Sequence, residues 1–334
     1  MVATTSLQQI ARAFPLDWSM RRRYRLCDTT ARELGSYYIR WAGDRGALGE
    51  WWDGAPLDGD GVLLSRPQRV YHATRIAQYA LEQHARFCET SDPEAARAFV
   101  AQARWLRDNQ VSRNGIPGCY PFAFGWPAYG AKPGFLSAMT QGEAISVLLR
   151  AYQLFDDSRY LQAAKLAATP FRRDVVDGGV AWRAREDVFL EEAACAPPSH
   201  ILNGWIYALW GLSDLARCWD GAWVADVYGR SLQTLGRRLP LYDCGHWSYY
   251  NLLASRTGFR KFATLKYHAF HVAQLRVLAS MSGEPAYEAT AARWESYANS
   301  FANRARVWGN AAASLPAYLL THADTVPGGA RSIV

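Results

Sequence analysis

The feature that most constrains the fold is a fourfold repeat of helical hairpins along the 334-residue chain. In each copy, an apolar segment with hydrophobic residues at helical spacing leads to a short polar turn and then to a second helical segment, often rich in alanine. Matching positions in the apolar segments lie 69, 61 and 66 residues apart, at Ile76, Ile145, Ile206 and Val272. This pattern predicts an all-α protein.

The two helices of each predicted pair differ in surface character. The first is apolar nearly all round, as expected of an inner helix, whereas the second has a charged outer face. Stacked pairs are therefore expected to form an incomplete (α/α) toroid of about four hairpins around a central cleft. We expect residues 1–334 to form this single domain, with residues 1–20 and 325–334 poorly ordered.

The linkers between the hairpins are long and rich in glycine, proline and aromatic residues, at residues 115–127, 180–199 and 242–266. Loops held between rigid elements commonly carry functional residues. We expect short β-hairpins within these linkers and around residues 49–54.

The charge of the chain favours an acidic polymer as partner. The formal net charge is +7 and the isoelectric point is about 9.1. The one tight basic run, at residues 21–25, comes without zinc-finger spacing, an RNA-binding aromatic signature or a basic zipper, which argues against nucleic acid. An acidic polysaccharide meets the same charge requirement, and the 14 Trp and 18 Tyr are residue types that line sugar-binding clefts.

The six cysteines include no CxxC pair, which argues against a structural zinc site and a small disulfide scaffold. Neither a signal-peptide core near the N-terminus nor an apolar stretch of about 18 residues is found, so no membrane partner is expected. These features predict a cytoplasmic protein with free thiols. No cofactor and no metal are predicted, and a homodimer is left open.

The densest group of residues suited to chemistry lies between residues 239 and 274. Positive charge near a tyrosine is expected to lower the pKa of its phenol, which suits proton transfer. Half-buried packing is the ordinary alternative for such tyrosines. The group contains Tyr242, Tyr249, Tyr250 and Tyr267 beside Arg256, Arg260, Lys261, Lys266, His246, His268 and His271.

Three blocks carry a family resemblance. They are FLSAMTQGEAISVLLRAY at 135–152, Glu191-Glu192 followed by Pro197 and ILNGWIYALWGLSDL at 201–215, and LPLYDCGHWSYY at 239–250 followed by YHAFHVAQL at 267–275. In order and spacing they resemble the heparosan/heparan sulfate D-glucuronyl C5-epimerase family. The resemblance covers about residues 60–300 and lacks the β-rich insertion of the animal enzymes.

This resemblance implies an isomerase with a toroid catalytic domain and a glucuronate-containing, heparosan-like polysaccharide as substrate. The C5 proton of a D-glucuronosyl residue would be removed on one face and replaced on the other, giving L-iduronosyl. Matching positions assign catalytic roles to Tyr250, Tyr267 and Glu192. A glutamate in a partly dry cleft can have its pKa raised enough to act near neutral pH.

Two positions depart from the family pattern. Ala193 stands where the family has a tyrosine, and Leu253 replaces an arginine. The cation that would hold the substrate carboxylate is left open among Arg256, Arg260, Lys266 and Arg69. The other candidate substrate-binding residues are Tyr242, His268, His271, Tyr71, Gln141 and Asn203.

Several alternatives stay open from the sequence. His268 and His271 have i, i+3 spacing that could suit a metal, but no nearby carboxylate completes a ligand set, so packing or substrate hydrogen bonding is favoured. A polysaccharide lyase would begin with the same proton abstraction. A catalytically reduced glycan-binding protein, or a glycoside hydrolase using Glu192 and Asp243, would also fit the fold.

Overall fold

The chain folds into four successive helical hairpins. A computed structural model describes residues 24–26, 33–41, 52, 54–65, 69–254, 260–307 and 309. The inner helices, one from each hairpin, are α1 (Ala73–Thr90), α3 (Ala138–Phe155), α5 (Leu202–Cys218) and α7 (Leu265–Ser282). Their outer partners are α2 (Pro93–Asp108), α4 (Ser158–Ala167), α6 (Ala222–Arg238) and α8 (Pro285–Asn299).

Local sequence signals set where these helices begin and end. The Asp92 side chain accepts a hydrogen bond from the Glu94 N–H, and Pro93 occupies the first turn of α2, where it costs no hydrogen bond. Asp157 caps α4 in the same way. Gly283 ends α7 in the left-handed conformation that suits glycine. The polar turns of the sequence repeat are therefore the helix boundaries.

The predicted division into inner and outer helices is confirmed. Residues 138–151 of α3 and 202–215 of α5 are all buried, while α2 and α6 alternate buried and exposed faces. Neighbouring inner helices pack against each other in the order α1, α3, α5, α7. The architecture is the expected incomplete toroid of hairpins.

Glycines let α3 and α5 approach closely. A Cβ at Gly142 would lie 2.7 Å from the Ala208 Cα, and one at Gly211 would lie 2.2 Å from the Gly142 carbonyl oxygen. Such distances are far inside van der Waals contact, so no larger residue fits without moving a helix. The two motif blocks that contain these glycines are held together at their centres.

Short antiparallel hairpins occupy the three linkers, as predicted. They pair β3 (Val111–Arg113) with β4 (Ile116–Cys119), β5 (Ala181–Ala184) with β6 (Asp187–Leu190), and β7 (Tyr249–Ala254) with β8 (Arg260–Phe262). A fourth pair, β1 (Tyr24–Leu26) with β2 (Ile39–Trp41), was not predicted. The hairpin expected around residues 49–54 and the two expected disordered ends lie mainly or wholly outside the described residues.

This topology places the linkers at one end of the inner helices. Each linker follows an outer helix and precedes the next inner helix, and the two helices of a hairpin run antiparallel. The linkers therefore meet near the N-termini of α3, α5 and α7. Within the described part of the chain, no helix is long and apolar enough to cross a membrane.

Candidate active site

Two tyrosines meet at the N-terminal end of the inner helices. Tyr250 lies on β7 and Tyr267 lies in the first turn of α7, where Thr264 caps the helix. Their ring centroids are 4.8 Å apart with the planes inclined at 65°. A hydrogen bond between the two side chains raises the pKa of Tyr250 and lowers that of Tyr267.

The expected lowering of the tyrosine pKa values by nearby cations is wrong for this pair. Burial raises the pKa of Tyr267 to about 12, the negative charge of Glu192 adds to the rise, and Arg75 opposes it only in part. The pKa of Tyr250 is raised still further by burial and by Glu192. Both phenols are thus proton donors at neutral pH, because desolvation outweighs the cations.

Glu192 shares this site and has the raised pKa that the sequence predicts. Burial lifts the pKa of its carboxyl to about 8, Lys261 opposes the rise, and Glu191 adds to it. Its Oε2 atom is buried without a hydrogen-bond partner. A Cβ at Gly204 would lie 2.2 Å from this oxygen, so a glycine at the start of α5 leaves room for the carboxyl.

Glu191 has a structural role distinct from that of its neighbour. Its Oε2 atom accepts hydrogen bonds from the Ser199 hydroxyl and from the N–H groups of Ser199 and His200, at 3.0–3.1 Å. Its Oε1 atom pairs with the His200 ring. This fully satisfied carboxylate fixes the loop before α5, and the loop in turn positions Glu192.

Two cations flank the phenols and the carboxyl. The Lys261 ammonium lies 4.7 Å from the centroid of the Tyr250 ring. Although this side chain keeps contact with solvent, the surrounding protein lowers its pKa, and Glu192 opposes that shift. The second cation, Arg75 in the first turn of α1, interacts electrostatically with Tyr267. Sequence reasoning missed Arg75 because its chemistry depends on a neighbour 192 residues away.

A third phenol, Tyr129, packs in the same cluster as Ala193 and Tyr250. Its hydroxyl accepts a hydrogen bond from the Asn251 amide at 3.0 Å, which leaves its own proton available for donation. Burial, followed by Glu192, raises its pKa. Sequence reasoning missed Tyr129, because no block of the family resemblance contains it. The one available signal was Ala193, which stands where the family has a tyrosine and so indicated that a phenol was lacking there.

Four predicted substrate-binding residues occupy fully buried structural positions instead, namely Tyr242, His268, His271 and Gln141. The Tyr242 hydroxyl donates to the His200 carbonyl at 2.8 Å. The Gln141 amide donates to the Gly118 and Ala167 carbonyls, joining β4 to the end of α4. The side chains of Tyr242 and Gln141 are fully enclosed and have no surface open to a substrate. The structure therefore does not support the prediction that these two residues bind substrate.

The two histidines lie behind the site. The Nδ1 atoms of His268 and His271 both lie within 3.0 Å of the Ser248 hydroxyl, and His268 stacks on Trp247 at 3.8 Å. Burial lowers the pKa of His268 to about 4 and that of His271 well below its usual value, so both are neutral at pH 7. Among the described residues, no three His, Cys, Asp or Glu side chains are grouped to hold a metal ion.

The remaining predicted residues are dispersed. Tyr71 is exposed, bonds Asp58 at 2.6 Å, and packs 5.4 Å from Trp105 beside a surface depression of about 730 Å³ on the outer side of α2. Arg69 is exposed in a turn, and the Lys266 ammonium lies 5.9 Å from the Phe270 ring. Arg256 and the side chain of Arg260 lie outside the described residues.

The side chains of Asn203 and Asp243 differ in how many of their oxygen atoms already have hydrogen-bond or ion-pair partners. The Asn203 Oδ1 atom is buried without a partner beside Gly204, so a polar contact is still open to it. Asp243 is held by Arg293 at 2.9 Å, by the Trp294 indole and by the Gly245 N–H. The proposed hydrolase pair of Glu192 and Asp243 is therefore disfavoured, because Asp243 is already committed to an ion pair.

Comparisons with known proteins agree with the sequence blocks. Residues 117–296 match the family model described as D-glucuronyl C5-epimerase C-terminus. A D-glucuronyl C5-epimerase of Caenorhabditis elegans is 34% identical over 216 residues, covering 61% of this chain and 35% of that protein. The chain thus spans about a third of the length of this relative.

Two more distant similarities were found. An uncharacterized protein of Methanocaldococcus jannaschii is 28% identical over 246 residues, covering 67% of this chain and 78% of that protein. The solved structure of cellobiose 2-epimerase from Spirochaeta thermophila covers 82% of this chain and 64% of its own, with 15% identity and a TM-score of 0.48. The match over residues 117–296, which is more than half of the chain, shows that this protein belongs to the D-glucuronyl C5-epimerase family.

Proposed function

We propose that this protein is a uronyl C5-epimerase that converts D-glucuronosyl to L-iduronosyl residues in an acidic polysaccharide. The observation that carries this proposal is the meeting of Glu192 with the Tyr250–Tyr267 pair in one buried cluster, with Lys261 over the Tyr250 ring and Arg75 acting on Tyr267. Inversion at carbon needs two acid/base groups, one on each face. Family membership supports the same assignment.

The chemistry begins with the proton at C5, which lies α to the substrate carboxylate. Removal of this proton builds an enediolate charge on the carboxylate oxygens, which a cation or hydrogen-bond donors must stabilise. Glu192, with a pKa of about 8, is close enough to neutrality to serve as the base in its ionised form. Tyr267, donating from the other face, would return a proton to C5.

The pKa values of Glu192 and Tyr267 also allow both groups to return to their starting protonation states after turnover. After one turnover Glu192 holds the substrate proton and Tyr267 is a phenolate. Because the pKa of Tyr267 is about 12 and that of Glu192 about 8, proton return to the phenolate, directly or through solvent, is downhill. The hydrogen bond from Tyr250 would stabilise the phenolate in the interval.

The preferred polymer is proposed from charge and family. A net charge of +7 would attract a polyanion, and unsulfated heparosan is the test substrate that the family suggests. Cytoplasmic localisation and a homodimer stay predictions.

Incubation with heparosan in heavy water tests the proposal. Proton NMR is expected to show loss of the H5 signal of glucuronate and growth of iduronate signals, with deuterium at C5. The Glu192→Gln variant, which cannot act as a base, is expected to lose this exchange. Polymer binding without deuterium incorporation would favour a glycan-binding protein. Near-ultraviolet absorbance from an unsaturated uronate would show a lyase.

A further inference from the structure

Arg75 is a half-buried cation that has no anionic partner among the described residues. Its guanidinium carbon lies 4.9 Å from the centroid of the Trp52 ring, and its Nε atom is buried with no hydrogen bond. Within the described residues it forms no ion pair. The two fully buried arginines of the described residues are both paired, Arg40 with Glu82 and Glu89, and Arg150 with Asp214.

An unpaired buried charge is unfavourable for the folded protein. Taking a cation from water costs several kcal/mol unless an anion or hydrogen bonds compensate, on the order of values for buried ions in proteins. The strain is visible in the pKa of Arg75, which burial lowers, while Tyr267 opposes the shift. Stacking on Trp52 recovers only part of this cost, because an aromatic face attracts a cation less strongly than a carboxylate does.

Among the described residues, no anion is found beside Arg75. His72, three residues earlier, is neutral at pH 7 because burial and Arg75 itself lower its pKa to about 4. Arg75 also interacts electrostatically with the Tyr267 phenol, which stays protonated at neutral pH. A ligand anion would therefore be the first strong partner of this guanidinium.

The position of Arg75 fits the reacting end of a uronate. In a uronosyl residue the carboxylate is attached directly to C5, so whatever binds the carboxylate also fixes C5. Arg75 acts electrostatically on Tyr267, while Lys261 lies over the Tyr250 ring and acts on Glu192. Lys261 already opposes the rise in the pKa of Glu192. Arg75 is therefore the cation that is available to bind substrate.

We propose that Arg75 binds the carboxylate of the uronosyl residue that undergoes C5 exchange, through a paired guanidinium–carboxylate contact. This inference rests on the proposed epimerase function. The planar guanidinium can donate two parallel hydrogen bonds to the carboxylate, and these strengthen as negative charge grows on the oxygens in the enediolate. Arg75 thereby supplies the positive charge that Leu253 does not, from a different helix and a distant part of the sequence.

Binding measurements with two polymers test this role. Wild-type protein is titrated with heparosan and with carboxyl-reduced heparosan, in which each glucuronate has become glucose. Arg75→Gln is expected to weaken binding of heparosan about 30- to 100-fold, in line with loss of a charge-assisted contact, and to leave binding of the reduced polymer unchanged. Arg75→Lys, which keeps the charge, is expected to recover part of the loss.

The matched control is Arg86→Gln on the same helix. The Arg86 side chain is 57% exposed and pairs with Asp92 at 2.7 Å, so its loss removes one positive charge without touching the cleft. It is expected to weaken heparosan binding by about twofold at most. Thermal unfolding separates a structural role from a binding role, because Arg75→Gln removes an unpaired buried charge and is expected not to lower the melting temperature.

The outcomes separate this inference from the proposed function. Equal weakening of both polymers by Arg75→Gln, or a heparosan affinity equal to that of wild type, would overturn the carboxylate role of Arg75. Selective loss of heparosan binding would support Arg75 even if wild-type protein incorporates no deuterium at C5. In that case only the epimerase proposal would fail.

Discussion

Two regions of this protein bury charged groups, and they treat them in opposite ways. Between α3 and α5, Arg150 pairs with Asp214 at 2.8 Å, and both side chains are 1% exposed or less. Ser146 and Tyr38 donate further hydrogen bonds to the same carboxylate. In the cleft, Glu192 Oε2 and Arg75 Nε are buried without any hydrogen bond.

The difference shows which charges serve the fold and which await a ligand. A buried charge with every partner in place fixes the packing of the two helices that contribute it. A buried charge without a partner lowers the stability of the folded protein. Such a charge is retained mainly at sites where binding or catalysis needs it. Both regions use residues of the family blocks, so membership in a motif does not by itself identify a catalytic group.

The largest loss of stability is expected when the buried ion pair between Arg150 and Asp214 is broken. Asp214→Ala leaves Arg150 buried without its anion and is expected to lower the free energy of unfolding by about 3–5 kcal/mol. Urea denaturation measures this loss. The control Asp226→Ala removes an exposed pair with Arg230, 3.9 Å apart, and is expected to change stability by less than about 0.5 kcal/mol. Equal losses of stability in the two variants would contradict the difference between the buried Arg150–Asp214 pair and an exposed ion pair.

A change at a catalytic phenol is expected to affect activity with little effect on binding. Tyr267→Phe removes the proton-carrying oxygen and is expected to slow C5 deuterium exchange about 10²- to 10⁴-fold, while heparosan affinity stays within about twofold. Tyr249→Phe is the matched control, since this ring packs against Phe262 at 5.2 Å. Exchange near the wild-type rate in Tyr267→Phe would remove Tyr267 from the mechanism.

Glu192 is expected to lower stability as the pH rises. Its folded pKa of about 8 lies above the ordinary value of 4.5, so its stabilising contribution is complete below pH 4.5 and is lost as the pH rises toward 8. Glu192→Gln cannot ionise and is expected to exceed wild type by about 1–3 kcal/mol at pH 7. At pH 4 the two proteins should unfold alike. A variant less stable than wild type at pH 7 would show that Glu192 is paired.

The smallest expected effect concerns the space beside Glu192. Gly204→Ala places a methyl group where the carboxyl lies and is expected to slow exchange about tenfold by shifting that group. Gly229→Ala on α6 is the control, because no atom lies within 4 Å of the added carbon. This control should keep full exchange and gain up to about 1 kcal/mol of stability. Equal exchange rates in the two variants would show that Glu192 tolerates displacement.

Much of the fold was predictable because it depends on local chemistry. The helical period marked the inner and outer helices, and residues such as Asp92, Asp157 and Gly283 marked their ends. The linkers that the sequence marked as the place for functional residues do carry Glu192 and Tyr250. The pairing of β1 with β2 was missed, since strands of three residues carry too little alternation to be recognised.

The site was predictable only in part. Sequence blocks located Glu192, Tyr250 and Tyr267, and the structure brings these residues together. The same blocks suggested His268 and His271, whose Nδ1 atoms lie against the Ser248 hydroxyl inside the core, while the Nε2 atom of His271 is buried without a hydrogen-bond partner. Which face of a helix or strand points into the cleft depends on tertiary packing, and so Arg75 and Tyr129 were not identified.

The most direct measurement is the titration of Glu192 itself. Protein labelled with ¹³C at the glutamate side-chain carboxyls can be followed by NMR from pH 4 to pH 10, with Glu192→Gln used to assign the signal. The buried carboxyl, whose Oε2 atom has no hydrogen-bond partner, predicts a signal that titrates with a pKa of about 8 and is absent from the variant. A Glu192 signal that titrates near 4.5 would contradict the account.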